Sequence, residues 1–341
     1  MTPSAPQGTL PLTRSVVQPS DWKPRLFVVV DTEEEFDWNA PFSRASTSVS
    51  ALRQIGRTQT IFERFGIKPT YVIDYPVATQ PDGFESLGEI WSRQACQIGA
   101  HLHPWVTPPY TEGLEPRNSF TCNLESSLQR AKLEALGEAI AARFDRPTIF
   151  KAGRYGLGAQ TVAILSDLGY EIDLSVCPRL DFTASEGPSF VEFDANPFFL
   201  TSQLLEIPCT VDYVGWLGPW GSRVHRLASR PAVEAVRGVG VLARVGAVNR
   251  VMLTPEGSSF QEMRALVLSL FARGCRTFTM SFHSPSVEPG HTPYVRSSSD
   301  LQSFLRRIEQ FCEFFMQNMQ GVAISPQAYR RDISTMAESE S

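Results

Sequence analysis

The sequence lacks the features of a membrane-spanning or nucleic-acid-binding protein. No stretch approaches the roughly 18 consecutive apolar residues that a membrane span needs. Basic character is also missing, because 31 Lys and Arg residues are set against 36 Asp and Glu residues, for a formal net charge of -5. No cluster of Lys or Arg stands out that would neutralise a phosphate backbone. We therefore expect neither a membrane span nor a nucleic-acid partner.

Paired cysteine spacing and an export signal are absent as well. The first 22 residues, rich in Pro, Ser, Thr and Gln, contain neither the basic segment nor the apolar segment of a secretory signal. Scattered single cysteines without CxxC spacing are typical of reduced, mostly buried thiols. The sequence thus predicts a cytoplasmic protein with a disordered leader over residues 1–22 and six free cysteines: Cys96, Cys122, Cys177, Cys209, Cys275 and Cys312.

Apolar strand-like runs alternate with helical segments along the 341 residues. Strands are predicted at 25–31, 69–74, 98–103, 148–151, 171–176, 204–210 and 276–282. Helices are predicted at 50–65, 83–93, 124–144, 159–168 and 300–317. This alternation is typical of a parallel α/β architecture, and an incomplete barrel is its natural form. We expect one domain over 23–330, a possible helical insertion at 215–251, and a tail over 331–341.

His101 and His103 are the most unusual feature, since they bring two of the five histidines into three residues. On an extended strand residues i and i+2 point to the same face, so both imidazoles project together. Pro104 follows at once and ends the strand. This is a metal-ligand geometry, and the alternative is a pair of histidines hydrogen-bonded in the core or at the surface.

The first predicted strand ends in an acidic run, Asp31-Thr32-Glu33-Glu34-Glu35. Carboxylates packed at the end of a buried strand repel one another unless a cation or basic groups compensate. The alternative is a solvated acidic loop. We assign Asp31 and Glu33 to the site, with Glu34 as the alternative acid. One carboxylate and two imidazoles suit a catalytic Zn²⁺, with Co²⁺, Mn²⁺, Fe²⁺ and Ni²⁺ as alternatives.

Two further predicted strands lead to ionisable residues of the kinds found in active sites. The run at 148–151 leads to Lys151 and Arg154, and the run at 276–282 leads to His283. In a parallel barrel these carboxyl ends meet at one face, where active sites lie. The loop after His283 is rich in Pro, Gly, Ser and Thr, which suits a substrate rim that includes Tyr294. Trp105, two residues after His103, is a candidate for stacking on a sugar, although core packing explains it equally well.

These motifs together resemble a known family. The Asp-x-Glu after an apolar strand, the histidine pair, Phe150-Lys151-Ala152-Gly153-Arg154-Tyr155-Gly156 and Ser281-Phe282-His283-Ser284-Pro285-Ser286 resemble the NodB-homology polysaccharide deacetylases, carbohydrate esterase family 4. The likeness covers about residues 25–320. Within the family it points to the WalW-like branch associated with lipopolysaccharide biosynthesis.

The resemblance implies a distorted (β/α)7-type barrel and a metal-dependent hydrolase that removes an N-acetyl group from a sugar or glycan precursor. It assigns Asp31 as the general base and His283 as the general acid. The metal ligands it implies are Glu33, His101 and His103. It also implies that Arg154 steadies Asp31 and that Asp181, followed by an aromatic residue, orients that basic group.

Several points stay open in the sequence. Lys151 competes with Arg154 as the partner of Asp31, because the local motif is one residue longer than the family's usual form. The two histidines are two residues apart where the commoner pattern has four, and Glu33 replaces an adjacent aspartate. Candidate substrate contacts are Trp105, Tyr155 and Tyr294. The alternatives are hydrolysis of another linear or cyclic amide, and an inactive carbohydrate-binding or scaffolding protein. The sequence indicates no oligomeric state.

Overall fold

Twelve strands form the β structure of the computed structural model, which describes Leu10 and residues 13–215 and 248–339. In chain order they are β1 (Arg14–Ser15), β2 (Arg25–Thr32), β3 (Thr70–Ile73), β4 (Gln97–Leu102), β5 (Ile149–Ala152), β6 (Ile172–Asp173), β7 (Phe198–Phe199), β8 (Leu205–Glu206), β9 (Val211–Val214), β10 (Asn249–Met252), β11 (Thr277–His283) and β12 (Val322–Ala323).

Seven of these strands run parallel in the order β8-β6-β5-β4-β3-β2-β11. They are the seven strands that the sequence predicts. β7 and β1 extend the β8 edge in antiparallel fashion, and β12 pairs with β2. β9 and β10 form a separate antiparallel pair. The parallel strands are buried on both faces, which is why their sequences are continuous apolar runs.

Eight α-helices accompany the strands within the described residues. They are α1 (Gly56–Arg64), α2 (Tyr75–Thr79), α3 (Pro81–Ser92), α4 (Ser126–Ala141), α5 (Ala159–Asp167), α6 (Phe260–Ala272), α7 (Ser298–Glu313) and α8 (Pro326–Ser339). Polar caps set where several begin. Ser259 with Glu262 and Ser297 with Asp300 form capping boxes at α6 and α7, and the Asp74 carboxylate accepts the Val77 N–H at the start of α2.

Alternation along β2 divides the core into two layers. Leu26, Val28 and Val30 belong to a large cluster packed among the helices. Phe27 and Val29 face a smaller cluster that Tyr329 of α8 joins. Asp31 continues the Phe27–Val29 row, because side chains on a strand alternate with a period of two. The Asp31 carboxylate therefore lies on the same face of β2 as the smaller cluster.

The ladder of parallel strands is open between β8 and β11. Single hydrogen bonds bridge this gap near the carboxyl ends, from the Leu253 N–H to the Thr210 carbonyl at 2.8 Å and from the Ser281 N–H to the Leu253 carbonyl at 3.2 Å. The parallel strands thus form an incomplete barrel. The predicted α/β fold is confirmed.

Within the described residues, parts of the segments assigned to the leader and to the tail have regular secondary structure. Residues 13–22, assigned to the leader, include β1, whose backbone groups pair with Phe198 and Phe199. The expected tail begins inside α8, where Ile333 is buried and Asp332 pairs with Arg25 at 2.6 Å. The expected insertion at 215–251 lies mostly outside the described residues, and β10 begins near its end. Among the described helices none has the length and apolar character that crossing a membrane requires.

Candidate metal and catalytic site

A cavity of about 340 Å³ opens at the carboxyl ends of the parallel strands. Parallel strands bring their last residues to one edge of the sheet, so residues far apart in the chain meet there. Aromatic side chains from the segment after β2 line its outer part. Its polar inner wall contains the six residues Asp31, Glu33, His101, His103, Lys151 and His283.

Glu33, His101 and His103 converge as a possible metal-binding group. The Glu33 Oε2 atom lies 3.5 Å from the Nε2 atom of His101 and 3.4 Å from that of His103. Three ligands about 2.0–2.1 Å from a tetrahedral ion stand about 3.3 Å apart, so these separations fit one small divalent metal. The HxH spacing therefore does bring both imidazoles to one carboxylate.

The far ring nitrogens of both histidines are held by other groups. The Nδ1 atom of His101 lies 3.0 Å from the Lys151 carbonyl, and that of His103 lies 2.7 Å from Glu34 Oε2. The Trp105 indole N–H donates to the other Glu34 oxygen at 2.6 Å. Glu34 therefore orients His103 from behind rather than joining Glu33 as a ligand, and the Nε2 atoms are left facing the cavity.

The polar atoms of this group fit a bound cation. Glu33 is 3% exposed, and its Oε1 atom is buried without a hydrogen-bond partner. Burial raises the pKa of Glu33, lowers the pKa of His101, and lowers that of His103 to about 4. Neutral imidazoles offer lone pairs to a metal, and a buried carboxylate without a hydrogen bond needs a positive partner. The residues present therefore suit a divalent metal.

Lys151, not Arg154, is the partner of Asp31. Its Nζ atom lies 2.6 and 2.7 Å from the two carboxylate oxygens, and both side chains are buried. Burial opposes the charge of Asp31, but Lys151 and then His101 and His283 outweigh it and lower its pKa. Arg154, the fifth residue of the FKAGRYG segment, lies beyond the end of β5. Arg154 instead adopts a left-handed backbone (φ 52°) and donates to the Ser119 hydroxyl.

His283 belongs to a second charged pair that faces Asp31. Its Nδ1 atom lies 2.7 Å from Glu256 Oε2, and its Nε2 atom lies 3.9 Å from Asp31 Oδ2. Burial opposes protonation, but Glu256, Glu33 and Asp31 outweigh it and raise the pKa of His283 to about 10. A proton-accepting carboxylate and an imidazole that holds its proton thus lie next to each other in the cavity.

Asp181 lies away from this arrangement. Its carboxylate accepts the backbone N–H of Thr183, two residues along the chain, and it does not line the cavity. The expected role of orienting a basic group is therefore not supported for Asp181. Glu256 occupies the corresponding place with respect to His283, and it receives the backbone N–H of His283 and the Ser286 hydroxyl as well.

The three expected substrate contacts differ in exposure. Trp105 is 2% exposed and stacks on His103 with ring centroids 4.3 Å apart, so it supports the ligand more than it presents a free face. Tyr294 is 39% exposed and lies parallel to His283 at 6.5 Å. Tyr155 stacks on Phe182 at 5.4 Å in the wall of the cavity. Trp38, packed against His283 and Tyr294, is a further exposed aromatic at the mouth.

Comparison with known proteins bears on the fold. No protein-family model and no curated protein sequence matches the chain. Among solved structures, a Mycobacterium smegmatis protein assigned as a polysaccharide deacetylase superposes with a TM-score of 0.55 at 15% identity, covering 96% of both chains. The chain has the polysaccharide-deacetylase fold.

Two other solved structures resemble the chain at lower TM-scores. A family 4 carbohydrate esterase from Streptomyces lividans, in complex with acetate, gives 0.40 at 12% identity and covers 90% of this chain and 94% of its own. The chitin deacetylase of Colletotrichum lindemuthianum gives 0.38 at 12% identity, with coverage of 94% and 91%.

Two residues that support the site from behind the cavity wall escaped the sequence analysis. Glu256 lies in the turn Thr254-Pro255-Glu256-Gly257 that follows β10. Asp74 follows β3 and accepts the Glu34 N–H at 2.8 Å. An acid directly after a predicted parallel strand was the available signal for Asp74. For Glu256 the sequence offered no such signal, because it lies beyond β10 and reaches His283 only through the tertiary fold.

Proposed function

We propose that the protein is a metal-dependent hydrolase that removes an N-acetyl group from a sugar in glycan or lipopolysaccharide biosynthesis. The observation that carries the proposal is the meeting of three functional units in one cavity. These are the Glu33–His101–His103 group, the Asp31–Lys151 pair and the His283–Glu256 pair. The polysaccharide-deacetylase fold supports the same reaction class.

Glu33, His101 and His103 would hold the metal, and Zn²⁺ suits this ligand set best. A divalent ion there supplies a Lewis acid for an amide carbonyl and lowers the pKa of water. Glu34 and the Lys151 carbonyl keep the two imidazoles oriented toward that position. Ordered ligands bind a metal with less loss of conformational freedom, so these contacts favour affinity.

Asp31 and His283 would carry the proton transfers. Asp31, kept ionised beside Lys151, accepts a proton from the water that attacks the acetamide carbon. His283, kept protonated beside Glu256, donates a proton to the nitrogen as the C–N bond breaks, which releases acetate and a free amine. His283 Nε2 and Asp31 Oδ2 lie 3.9 Å apart in the cavity lining, so one bound amide can be near both groups.

The proposal is tested by measuring acetate release from a panel of N-acetylated sugars, including monosaccharides, sugar phosphates and oligosaccharides. We expect release with protein loaded with Zn²⁺, and its loss after chelation and in His283→Ala. No acetate from any sugar by metal-loaded protein would contradict the proposal. Cleavage of a cyclic ureide or another amide in the same panel would reassign the substrate while retaining the hydrolase chemistry.

A further inference from the structure

Arg154 is a charged group in the cavity wall that the proposed chemistry leaves unused. Lys151 takes the place beside Asp31 that Arg154 was expected to fill. Among the described residues, no carboxylate lies within ion-pair distance of the Arg154 guanidinium, and its hydrogen-bond partner is the Ser119 hydroxyl. Burial lowers the pKa of Arg154, and no neighbouring acid raises it. A half-buried cation without a counterion is costly unless something supplies the missing charge.

The other charges of the cavity are already compensated. Asp31 pairs with Lys151, and Glu256 pairs with His283. Glu33 belongs to the group that suits a divalent cation. Asp37 is exposed on the rim, where water solvates its charge, and it accepts the backbone N–H of Asn39. Among the described residues that line the cavity, Arg154 is therefore the shielded charge that has no partner of opposite sign.

Arg154 lies on the same wall as the metal ligand His103. Its guanidinium carbon is 5.2 Å from the centre of the Phe42 ring, which packs 4.5 Å from Trp105. Trp105 in turn stacks on His103 at 4.3 Å. This continuous row of rings connects the free cation to the place where the acyl group would react. Arg154 and His103 both line the same cavity, so a substrate that fills it can contact both.

The backbone at this point is held in a sparsely populated conformation. Arg154 and Tyr155 are consecutive non-glycine residues with φ of 52° and 60°. The turn is fixed by hydrogen bonds from the Gly156 N–H to the Gly153 carbonyl at 3.0 Å and from the Cys122 N–H to the Gly156 carbonyl at 3.0 Å. Glycine would adopt these angles without strain, so the turn alone does not call for an arginine. Strained side-chain-bearing residues of this kind cluster at ligand sites.

We propose that Arg154 is a specificity-determining residue that binds an anionic group on the substrate, a carboxylate or a phosphate, beside the N-acyl group. The inference rests on the proposed function and narrows its substrate class to acidic N-acyl sugars. A guanidinium presents two parallel N–H donors to either anion. A neutral sugar has no charged pair of oxygens to accept them. The two sources of the anion are a sugar acid and a sugar phosphate.

The test compares three compounds: N-acetylglucosamine, its 1-phosphate, and N-acetylglucosaminuronic acid. We expect the wild-type kcat/KM to favour one or both acidic compounds, and Arg154→Gln to lower kcat/KM for the preferred compound by about 10- to 100-fold, mainly through KM. The kcat/KM for the neutral sugar should fall much less in Arg154→Gln. Preference for the phosphate identifies a sugar phosphate, and preference for the uronic acid identifies a sugar acid.

The matched control is Arg143→Gln, because Arg143 also stacks on a ring, 3.9 Å from the Phe84 centroid, but lies outside the cavity. It should leave all three kcat/KM values unchanged. Arg154→Lys keeps the positive charge but lacks the two parallel N–H donors, so it should retain part of the preference for the acidic compound. This variant keeps the test valid if Arg154→Gln folds poorly. Equal loss for all three compounds in Arg154→Gln, or no wild-type preference for an acidic compound, would overturn the inference.

A binding measurement separates this inference from the proposed reaction. In the His283→Ala background, calorimetry gives Kd for the three compounds with and without Arg154→Gln. If no compound releases acetate from the wild-type protein, the proposed function fails. Tighter binding of an acidic compound that depends on Arg154 would still support the anion site. Equal Kd values for the acidic compounds with and without Arg154→Gln would overturn it.

Discussion

Two histidines of the cavity make the same hydrogen bond, but their pKa values are shifted in opposite directions. His103 and His283 each place Nδ1 2.7 Å from a glutamate oxygen, Glu34 in one case and Glu256 in the other. The pKa of His103 is lowered to about 4, whereas that of His283 is raised to about 10. A histidine–carboxylate pair therefore does not by itself determine the charge of the imidazole.

The surroundings of each pair explain the difference. The His103 side chain is 3% exposed, so burial disfavours its charge, and His283 and Arg154 repel it further. Its partner Glu34 has a pKa raised to about 8 by its own burial, and it lies against Asp74. His283 is 22% exposed and faces the carboxylates of Glu256, Glu33 and Asp31.

The comparison assigns different tasks to similar pairs. A neutral imidazole whose Nδ1 is held by a carboxylate presents Nε2 as a metal ligand. A protonated imidazole held in the same way presents Nε2–H as a proton donor. Five substitutions test this division, each affecting one side of the cavity.

Removal of the metal ligands should have the largest effect. We expect the wild-type protein to bind about one equivalent of Zn²⁺, and His101→Ala and His103→Ala each to lose it together with all hydrolysis. Elemental analysis of protein purified without a histidine tag measures the metal, and acetate release measures the activity. A His103→Ala protein that still holds a full equivalent would show that the ligand set is wrong.

Removal of the proton donor should lower the rate without affecting the metal. His283→Ala should reduce kcat by roughly 10²- to 10⁴-fold, the range of a single general acid. Its zinc content should equal that of the wild type, because His283 is not in the ligand group. The contrast with His103→Ala is lost if His283→Ala also releases the metal, and that result would place His283 among the ligands.

Glu34→Gln should weaken the metal site by an intermediate amount. Loss of the carboxylate behind His103 is expected to reduce zinc affinity by about 10- to 100-fold. Competition with a chromogenic chelator measures the change. Glu256→Gln is the matched control, since it alters the other histidine–glutamate pair and should leave zinc affinity within error. Equal weakening in both variants would indicate a general loss of structure.

Glu256→Gln should have the smallest effect, a shift in pH dependence. The raised pKa keeps His283 protonated below about 10, and activity that needs the acid is lost as pH rises through this pKa. Removing the Glu256 charge should lower the pKa by about 1 to 3 units and move the alkaline fall in kcat/KM to lower pH. NMR titration of the His283 ring in metal-free protein checks the shift directly. An unchanged titration would exclude Glu256 as the cause.

The sequence predicted most of the site because its residues follow buried strands. Asp31, His101 and His283 occupy strand ends and His103 directly follows one, and parallel topology alone brings such ends together. Arg154 and Asp181 were assigned from motif resemblance. The extra residue after Lys151 lets β5 deliver the lysine to Asp31 and turns Arg154 toward the Phe42 wall.

The amino-acid sequence by itself determined the order of strands and helices, the histidine pair of the candidate metal site and the acid at the end of β2, since these depend on local periodicity. Only the tertiary structure decided which base pairs with Asp31, that Glu34 lies behind His103, and that Glu256 reaches His283. Those relations join segments 27 to 120 residues apart. Their energies depend on burial and on charges from several strands, which no local pattern in the chain encodes.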